Sequence, residues 1–383
     1  MSYRRKPLWQ FSQWMMIQRS KPEALYLHVP FCTCICYYCD FTHGIYQSQK
    51  ADAWLEAVKT EIQKKDINPD LKTIYIGGGT PSALNPSQLD TLLSLLDLYA
   101  SNVQEYTIEV NPESLTDEKT EIFTRHHINR VSMGFQTSDP VLLKECGRHH
   151  TYEDVSQAVS LLKHHGITNI SLDLMYSLPN QTMASFKKSI DDAIVLKPAH
   201  LSLYSLTIEE NTVFGKRGYH SLNEYTEADM YEYMMAYLPE KGYKQYEVSN
   251  FALPGYESKH NKAYWEYRDF YGIGMGASGK EGNIRYDNVR NMKAYLENPL
   301  ARNVIPLSEK DQMFEMLMMG MRLKRGMSLK RFKDYFAISF MDVYGDKAES
   351  LKQQGLITWD QDHIRCSDSG YEIMNSVLEE FLD

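Results

Sequence analysis

Four of the six cysteines, Cys32, Cys34, Cys36 and Cys39, fall within eight residues, while Cys146 and Cys366 stand alone. An extracellular disulfide framework spreads its cysteines along the chain, so this clustering reads as metal binding in a reducing compartment. Cys32, Cys36 and Cys39 have the spacing Cys-x3-Cys-x2-Cys. A loop so spaced can wrap three thiolates around one 4Fe–4S cubane. Four cysteines are the usual set, so three leave one iron open to a small molecule. A four-thiolate zinc site is the competing chemistry. The spacing 32-34-36-39 suits it poorly, because structural zinc knuckles draw paired Cys-x2-4-Cys units from separate turns. Cys34 is left as a spectator or a redox-labile thiol.

The elements that must position these residues follow from periodicity. Short β-rich runs, 24–29, 72–76, 106–110, 130–134, 169–174 and 200–206, alternate with amphipathic runs at 51–65, 86–99, 117–126, 151–165, 183–196 and 224–241. In the first of these, Ala53, Trp54, Ala57, Val58 and Ile62 form an i, i+3/i+4 apolar stripe, with Lys59, Lys64 and Lys65 off it. Six βα units in a row predict a parallel sheet with helices outside, either doubly wound or a partial barrel. KQYEV at 244–248 is a candidate seventh strand. Beyond about residue 250, the stretch 251–300 is rich in Gly, Asn and Tyr and reads as loop-dominated. Residues 308–337 read as helical, opening on a Ser308…Asp311 capping pattern. The tail reads helix, strand, turn, strand, helix, like a winged helix.

In parallel α/β folds the ligand sits at the carboxyl ends of the strands. Strand two ends in GGGTP, Gly77 to Pro81. Strand three ends with Glu109 and Asn111-Pro112-Glu113, strand four runs into Gln136, and strand five carries Asp173. Arg148 follows a short helical stretch, 141–146. Taken singly, each is as easily a structural cap or a surface charge; on consecutive strand ends they form a coherent constellation. The cysteine spacing, in the loop after a first strand, resembles the signature of radical S-adenosylmethionine (radical SAM) proteins. That resemblance implies a partial (β/α)6 radical SAM barrel with a smaller α+β C-terminal domain. It also implies a 4Fe–4S cluster on Cys32, Cys36 and Cys39, and SAM on the open iron. GGGTP then resembles the motif whose backbone binds the methionine amino group. Glu109 suits ribose hydroxyls, and Arg148 could serve as a fork donor to the methionine carboxylate.

The resemblance narrows to the HemN-like group, which includes oxygen-independent coproporphyrinogen III oxidases and HemW-type haem chaperones. VPFCTCICYYCDF, IYIGGGTPSAL, VSMGFQTSDPVLLKECGRHH and YKQYEVSNFALPGYESKHNKAYW are among the stretches that carry it. It implies SAM contacts at Tyr26, Tyr38, Gly78, Gly79, Glu109, Gln136, Arg148 and Asp173. The oxidases resemble Cys-x3-Cys-x2-Cys followed by Gly-Cys, whereas Asp40-Phe41 follow Cys39 here. HNKAYW, His260 to Trp265, is similar to the HNxxYW motif linked to haem binding in the chaperones. It implies a haem motif of His260, Asn261, Tyr264 and Trp265. Imidazole is a common haem ligand, the two aromatics could pack on a porphyrin face, and Lys259, Lys262 or Arg268 could meet propionates. A hydrogen-bonded histidine beside aromatics is the plain reading. His149 and His150 are alternative ligands. GIGMGASG, 272–279, is either a turn near a cofactor or an ordinary tight loop.

Composition bounds the rest. The length of 383 residues suits two or three domains, here an extension at 1–23, a core at 24–250, a connecting region with the haem motif at 251–307, and a C-terminal domain at 308–383. A net charge of −9 argues against nucleic acid as a partner. No run approaches the ~18–20 apolar residues of a transmembrane helix, and the N-terminus lacks a signal-peptide pattern. A cytoplasmic protein is expected, peripheral to the membrane at most. Residues 1–23 are expected to be a loosely packed extension, or else a flap or membrane contact. Residues 320–333 hold six basic residues and no acid, a solvated face or a docking surface for a membrane or partner. The leading expectation is a haem chaperone that delivers haem to respiratory proteins at the membrane. The alternatives are a coproporphyrinogen III oxidase and another radical SAM tetrapyrrole enzyme, such as a methyltransferase or a haem-degrading one.

Overall fold

A computed structural model describes residues 20–382. The six expected strands form as β1 (Ala24–Val29), β2 (Thr73–Gly78), β3 (Glu105–Val110), β4 (Arg130–Gln136), β5 (Asn169–Tyr176) and β6 (His200–Ser205). The helices that follow them are α1 (Ser48–Lys64), α2 (Pro86–Ser94), α3 (Asp117–Arg125), α4 (Tyr152–His164), α5 (Met183–Val195) and α6 (Glu224–Glu240). The strands pair in parallel and strictly in sequence order. A doubly wound sheet needs a reversal of strand order, and there is none, so right-handed crossovers keep the helices on one side. β1 and β6 do not pair with each other, so the barrel stays open, as a partial barrel.

Alternation along the strands builds two layers. Leu25, Leu27 and Val29 of β1 are buried in the main core, as are Trp54, Val58 and Ile62 of α1. Phe31 meets Trp54 edge-on at 5.5 Å between ring centroids. The intervening residues face the lumen, which is polar: Tyr26, Tyr75, Glu109, Ser132 and Asp173 line it. Helix starts are fixed by side-chain caps. Asn85 with Gln88, Thr151 with Asp154, and Ser308 with Asp311 each form a reciprocal capping box.

Past residue 243 two expectations change. KQYEV contributes only β7 (Lys244–Gln245), an antiparallel edge beside β8 (Asn250–Ala252), which in turn pairs antiparallel with β6. The stretch 251–300 is not loop-dominated. It holds α7 (Lys259–Trp265), β9 (Phe270–Ile273), β10 (Ser278–Glu281) and β11 (Ile284–Asn288), and β12 (Arg302–Pro306) follows. β9 pairs in parallel with β1, and β10 to β12 continue as an antiparallel meander, giving a twelve-stranded sheet. Glycine and charged residues hide the alternation that would have marked these strands.

The C-terminal part has its own core and a three-stranded sheet, Met327–Ser328, His363–Cys366 and Ile357–Trp359. Around it lie α8 (Glu309–Met321), α9 (Leu329–Phe336) and α10 (Phe340–Gln353), an α+β unit of winged-helix type. Among the described residues no helix is long and apolar enough to cross a membrane. The extension at 1–23 lies almost wholly outside the described residues.

Trp54 is fully buried. Trp54→Ala is expected to cost about 3–5 kcal/mol, as for other large core truncations, read from urea unfolding of the full chain. A cost under about 1 kcal/mol would place α1 outside the cooperative core.

Candidate functional site

The loop after β1 is closed by a short parallel pair, Phe31–Cys32 with Gly44–Ile45, and by Tyr46 N–H donating to Cys32 O at 2.9 Å. Cys32, Cys36 and Cys39 ride on this arch at the carboxyl ends of the strands. All three are free thiols, as are Cys34, Cys146 and Cys366. Thr80 Oγ1 donates to Cys32 Sγ at 3.7 Å, Arg148 Nη1 to Cys36 Sγ at 3.5 Å, and His43 Nδ1 lies 3.8 Å from Cys39 Sγ. Burial pushes the Cys32 thiol up to about 12 and Cys39 to about 11, and the neighbouring thiols add to this.

The glycine run passes directly beneath the arch. Thr80 N–H donates to Phe31 O at 2.6 Å and Gly79 N–H to Val29 O at 2.8 Å. Gly78 has φ +106, and a Cβ there would lie 2.4 Å from the His28 imidazole, so only glycine fits. Glu109, half-buried, accepts from Tyr75 Oη at 2.7 Å and from Gly78 N–H at 3.0 Å. Burial raises its carboxyl to about 7 despite those bonds. Tyr26 Oη bonds His28 Nδ1 at 2.9 Å. Tyr38 lies beside Cys36 and Arg148, and burial drives its phenol pKa upward. Gln136 has φ +60 at the bulge that ends β4. Asp173 sits lower in the lumen and accepts from Ser132 and Ser171.

Arg148 differs from the open fork that the sequence suggested. Its guanidinium is buried, with Nε donating to His150 Nδ1 at 3.3 Å and Nη2 to Gly134 O at 3.0 Å. Nη1 donates to Asn111 Oδ1 at 3.0 Å as well as to Cys36. Four of the five N–H donors are thus engaged, and one Nη2–H remains for a ligand. His150 is held neutral by burial, with the adjacent Arg148 charge contributing, at about 4. The turn at 272–279 belongs to this end too: a Cβ on Gly274 would meet His28 O at 2.5 Å, and one on Gly276 would meet Thr42 at 2.9 Å.

The HNKAYW helix lies elsewhere. α7 plugs the opposite mouth of the barrel, where the strands begin. Glu105, the first residue of β3, accepts from Ser258 Oγ at 3.1 Å, Lys259 N–H at 2.8 Å and His260 N–H at 2.9 Å. His260 is fully buried. Its Nδ1 bonds Thr73 Oγ1 at 2.9 Å and its Nε2 bonds Tyr264 Oη at 2.7 Å. Burial, and then the Arg130 charge, lowers its pKa to about 3. With both ring nitrogens engaged, His260 faces the lumen and offers no free lone pair to an iron. Tyr264 packs on Phe270. Trp265 lies half-buried with the Arg322 guanidinium 4.7 Å from its ring centre, and Asn261 sits in the first turn.

The basic stretch at 320–333 is divided: Lys330 and Lys333 stay exposed, and the other cations are engaged within the protein. Arg325 pairs with Glu266, Arg331 donates to the carbonyls of Glu266 and Tyr267, and Lys324 pairs with Asp368 at 3.0 Å. Arg325 and Arg331, with Arg322 on Trp265, tie the C-terminal domain to the end of α7 and the segment just after it.

The sequence reading did not single out Tyr75, Glu105 or Arg130. Their only local signal is a polar residue inside, or at the first position of, an otherwise apolar strand. Tyr75 joins the two ends, since its hydroxyl bonds Glu109 and its ring lies 5.2 Å from that of His260.

His260→Gln is expected to cost about 1–3 kcal/mol at pH 7.5, the range for a buried polar group that loses its partners. Between about 3, the folded value, and the ordinary ~6.5, the unfolded chain binds the extra proton. His260 therefore contributes stability above that window and loses it as pH falls. The stability gap between wild type and variant should narrow from pH 7.5 to pH 5 in urea titrations. A constant gap would contradict a buried neutral imidazole.

Comparison with known proteins places these ends in context. The radical SAM superfamily model matches residues 26–193, and the HemN C-terminal domain model matches 307–373. The heme chaperone HemW of Lactococcus lactis subsp. lactis (strain IL1403) is 43% identical over 371 residues, covering 94% of this chain and 98% of the relative. HemW of Bacillus subtilis (strain 168) is 37% identical, covering 94% and 99%, and that of Escherichia coli (strain K12) is 33% identical, covering 94% and 98%. Among solved structures, coproporphyrinogen III oxidase (HemN) from Escherichia coli superposes with a TM-score of 0.81 at 23% identity, over 94% of this chain and 90% of that one; at that identity the likeness speaks for the fold. Membership of the radical SAM superfamily implies a 4Fe–4S cluster and SAM, and the arch of three free thiols beside a glycine strand end fits them. With full-length relatives at this identity, the chain belongs to the HemW family of radical SAM proteins.

Proposed function

We propose that this protein is a haem chaperone: it binds haem and passes it to respiratory haem proteins at the cytoplasmic face of the membrane. The observation that carries the reading is the full-length likeness to proteins named heme chaperones, at 43% identity in one case. Asp40-Phe41 after the third cluster cysteine adds support, since the oxidases resemble Gly-Cys there.

Cys32, Cys36 and Cys39 are the proposed cluster ligands. Tyr26, Tyr38, Gly78, Gly79, Glu109, Gln136, Arg148 and Asp173 are the proposed SAM contacts. The bound cluster would supply one electron to SAM held at its open iron. Arg148 fixes Cys36 by an N–H···S contact and keeps one donor for a carboxylate. Glu109, with its pKa raised to about 7, accepts hydrogen bonds from hydroxyls when ionised, which suits a ribose. Gly78 and Gly79 let backbone atoms reach the ligand without a side chain between them. At the other end, α7 turns His260 inward as part of the barrel plug. Its contribution to haem binding therefore runs through the surface that the plug holds in place, formed by Lys259, Asn261, Lys262 and Trp265.

The test is anaerobic. The reconstituted protein is incubated with SAM, dithionite and coproporphyrinogen III, and haem is titrated into a separate sample. The expected outcome is a saturable Soret shift with haem and no protoporphyrinogen. Steady formation of protoporphyrinogen would overturn the chaperone reading in favour of the oxidase.

A further inference from the structure

A cleft of about 820 Å3 opens at the barrel end remote from the cysteines, within the usual range for small-molecule sites. One wall is the starting rim of β1 and β2. The second is the outer face of α7, and the third is α9 with the segment after α7.

Its charge is unlike that of the rest of the molecule. Six basic side chains line it against four acidic ones, a local excess of +2 in a chain of net −9. Each acid already has a cation: Glu23 and Glu266 have Arg268, Asp269 has Lys280, and Asp334 has Lys330. Lys21 and Lys262 are matched by Asp66 and Glu257. Lys72 and Lys259, in contrast, make no ion pair with a described residue. Arg331 gives two of its five N–H donors to carbonyls, which carry no formal charge. Pro22, Ala263 and Tyr335 add apolar surface to the same lining. The cleft therefore suits a ligand that presents carboxylates to these cations beside some apolar surface.

We infer that this cleft receives the propionate edge of haem, with Lys72 and Lys259 meeting the carboxylates. The inference rests on the haem-chaperone reading and specifies where the cargo sits. It also gives the HNKAYW helix a division of labour. His260 points inward and locks the helix to Thr73, and Lys259 and Lys262 point outward to the cleft.

The experiment titrates the full chain with iron protoporphyrin IX and, separately, with its propionate dimethyl ester, followed at the Soret band. Wild type is compared with Lys72→Glu/Lys259→Glu, with the milder Lys72→Gln/Lys259→Gln, and with Lys50→Glu/Lys310→Glu, which lies outside the cleft. The expected result is about tenfold weaker haem binding for the Glu pair, a smaller loss for the Gln pair, and no change for the control. Ester binding should be insensitive to all three. Circular dichroism checks folding, and the Gln pair carries the test if the Glu pair misfolds. Wild-type haem affinity in both cleft variants would overturn the cleft assignment and leave the chaperone reading standing. Absence of haem binding by wild type would sink both.

Discussion

The Glu105 carboxylate holds the two ends of this molecule in one structure. A parallel barrel that stays open and carries a polar lumen must close its lower mouth without stranding backbone donors. Glu105 does this by taking the first N–H groups of α7 and the Ser258 hydroxyl. These are the donors that a helix leaves unsatisfied at its start, and a carboxylate there also favours the helix dipole. The network spreads from that point. Ser258 N–H reaches Tyr246 Oη, which bonds His200 Nε2, and His200 Nδ1 bonds Ser171. Arg130, buried among them, supplies the opposing charge.

Because the plug is fixed, the chemistry separates into two mouths. The cysteine arch, the glycine turn and Arg148 occupy the strand ends, where α/β folds place their ligands. The HNKAYW helix and its cationic cleft occupy the strand starts. Tyr75 spans the lumen between them, touching Glu109 above and His260 below. Under the proposed chaperone reading, cargo held at the cleft would leave without disturbing the radical SAM end. The seam formed by Arg322, Arg325 and Arg331 fixes the C-terminal domain as the third wall.

The sequence disclosed what is local and periodic. The cysteine spacing, the six βα units, the capping boxes and the polar strand ends all announce themselves within windows of about 20 residues or fewer. What it concealed is long-range. The bond from His260 N–H to Glu105 spans 155 residues, so nothing in HNKAYW reveals that its histidine faces inward. Arg148 reads as a free fork because Asn111 and Cys36 are distant in sequence and the Gly134 carbonyl is a backbone partner that no side chain announces. The basic run at 320–333 reads as a surface because its partners Glu266, Tyr267 and Asp368 lie outside it. The strands at 270–288 were masked by glycine and charge, and by pairing with a β1 strand at the far end of the chain.

The central claim is that haem and cluster occupy opposite mouths of one barrel. Six-residue strands at about 3.3 Å per residue set the mouths roughly 20 Å apart. Copper protoporphyrin IX bound to the reconstituted protein gives a paramagnetic centre whose distance to the reduced cluster is measurable by pulsed electron paramagnetic resonance. A separation of about 20 Å or more is the expected result. A separation of about 10 Å or less, which is half a strand length, would put the porphyrin beside the cluster and contradict the account.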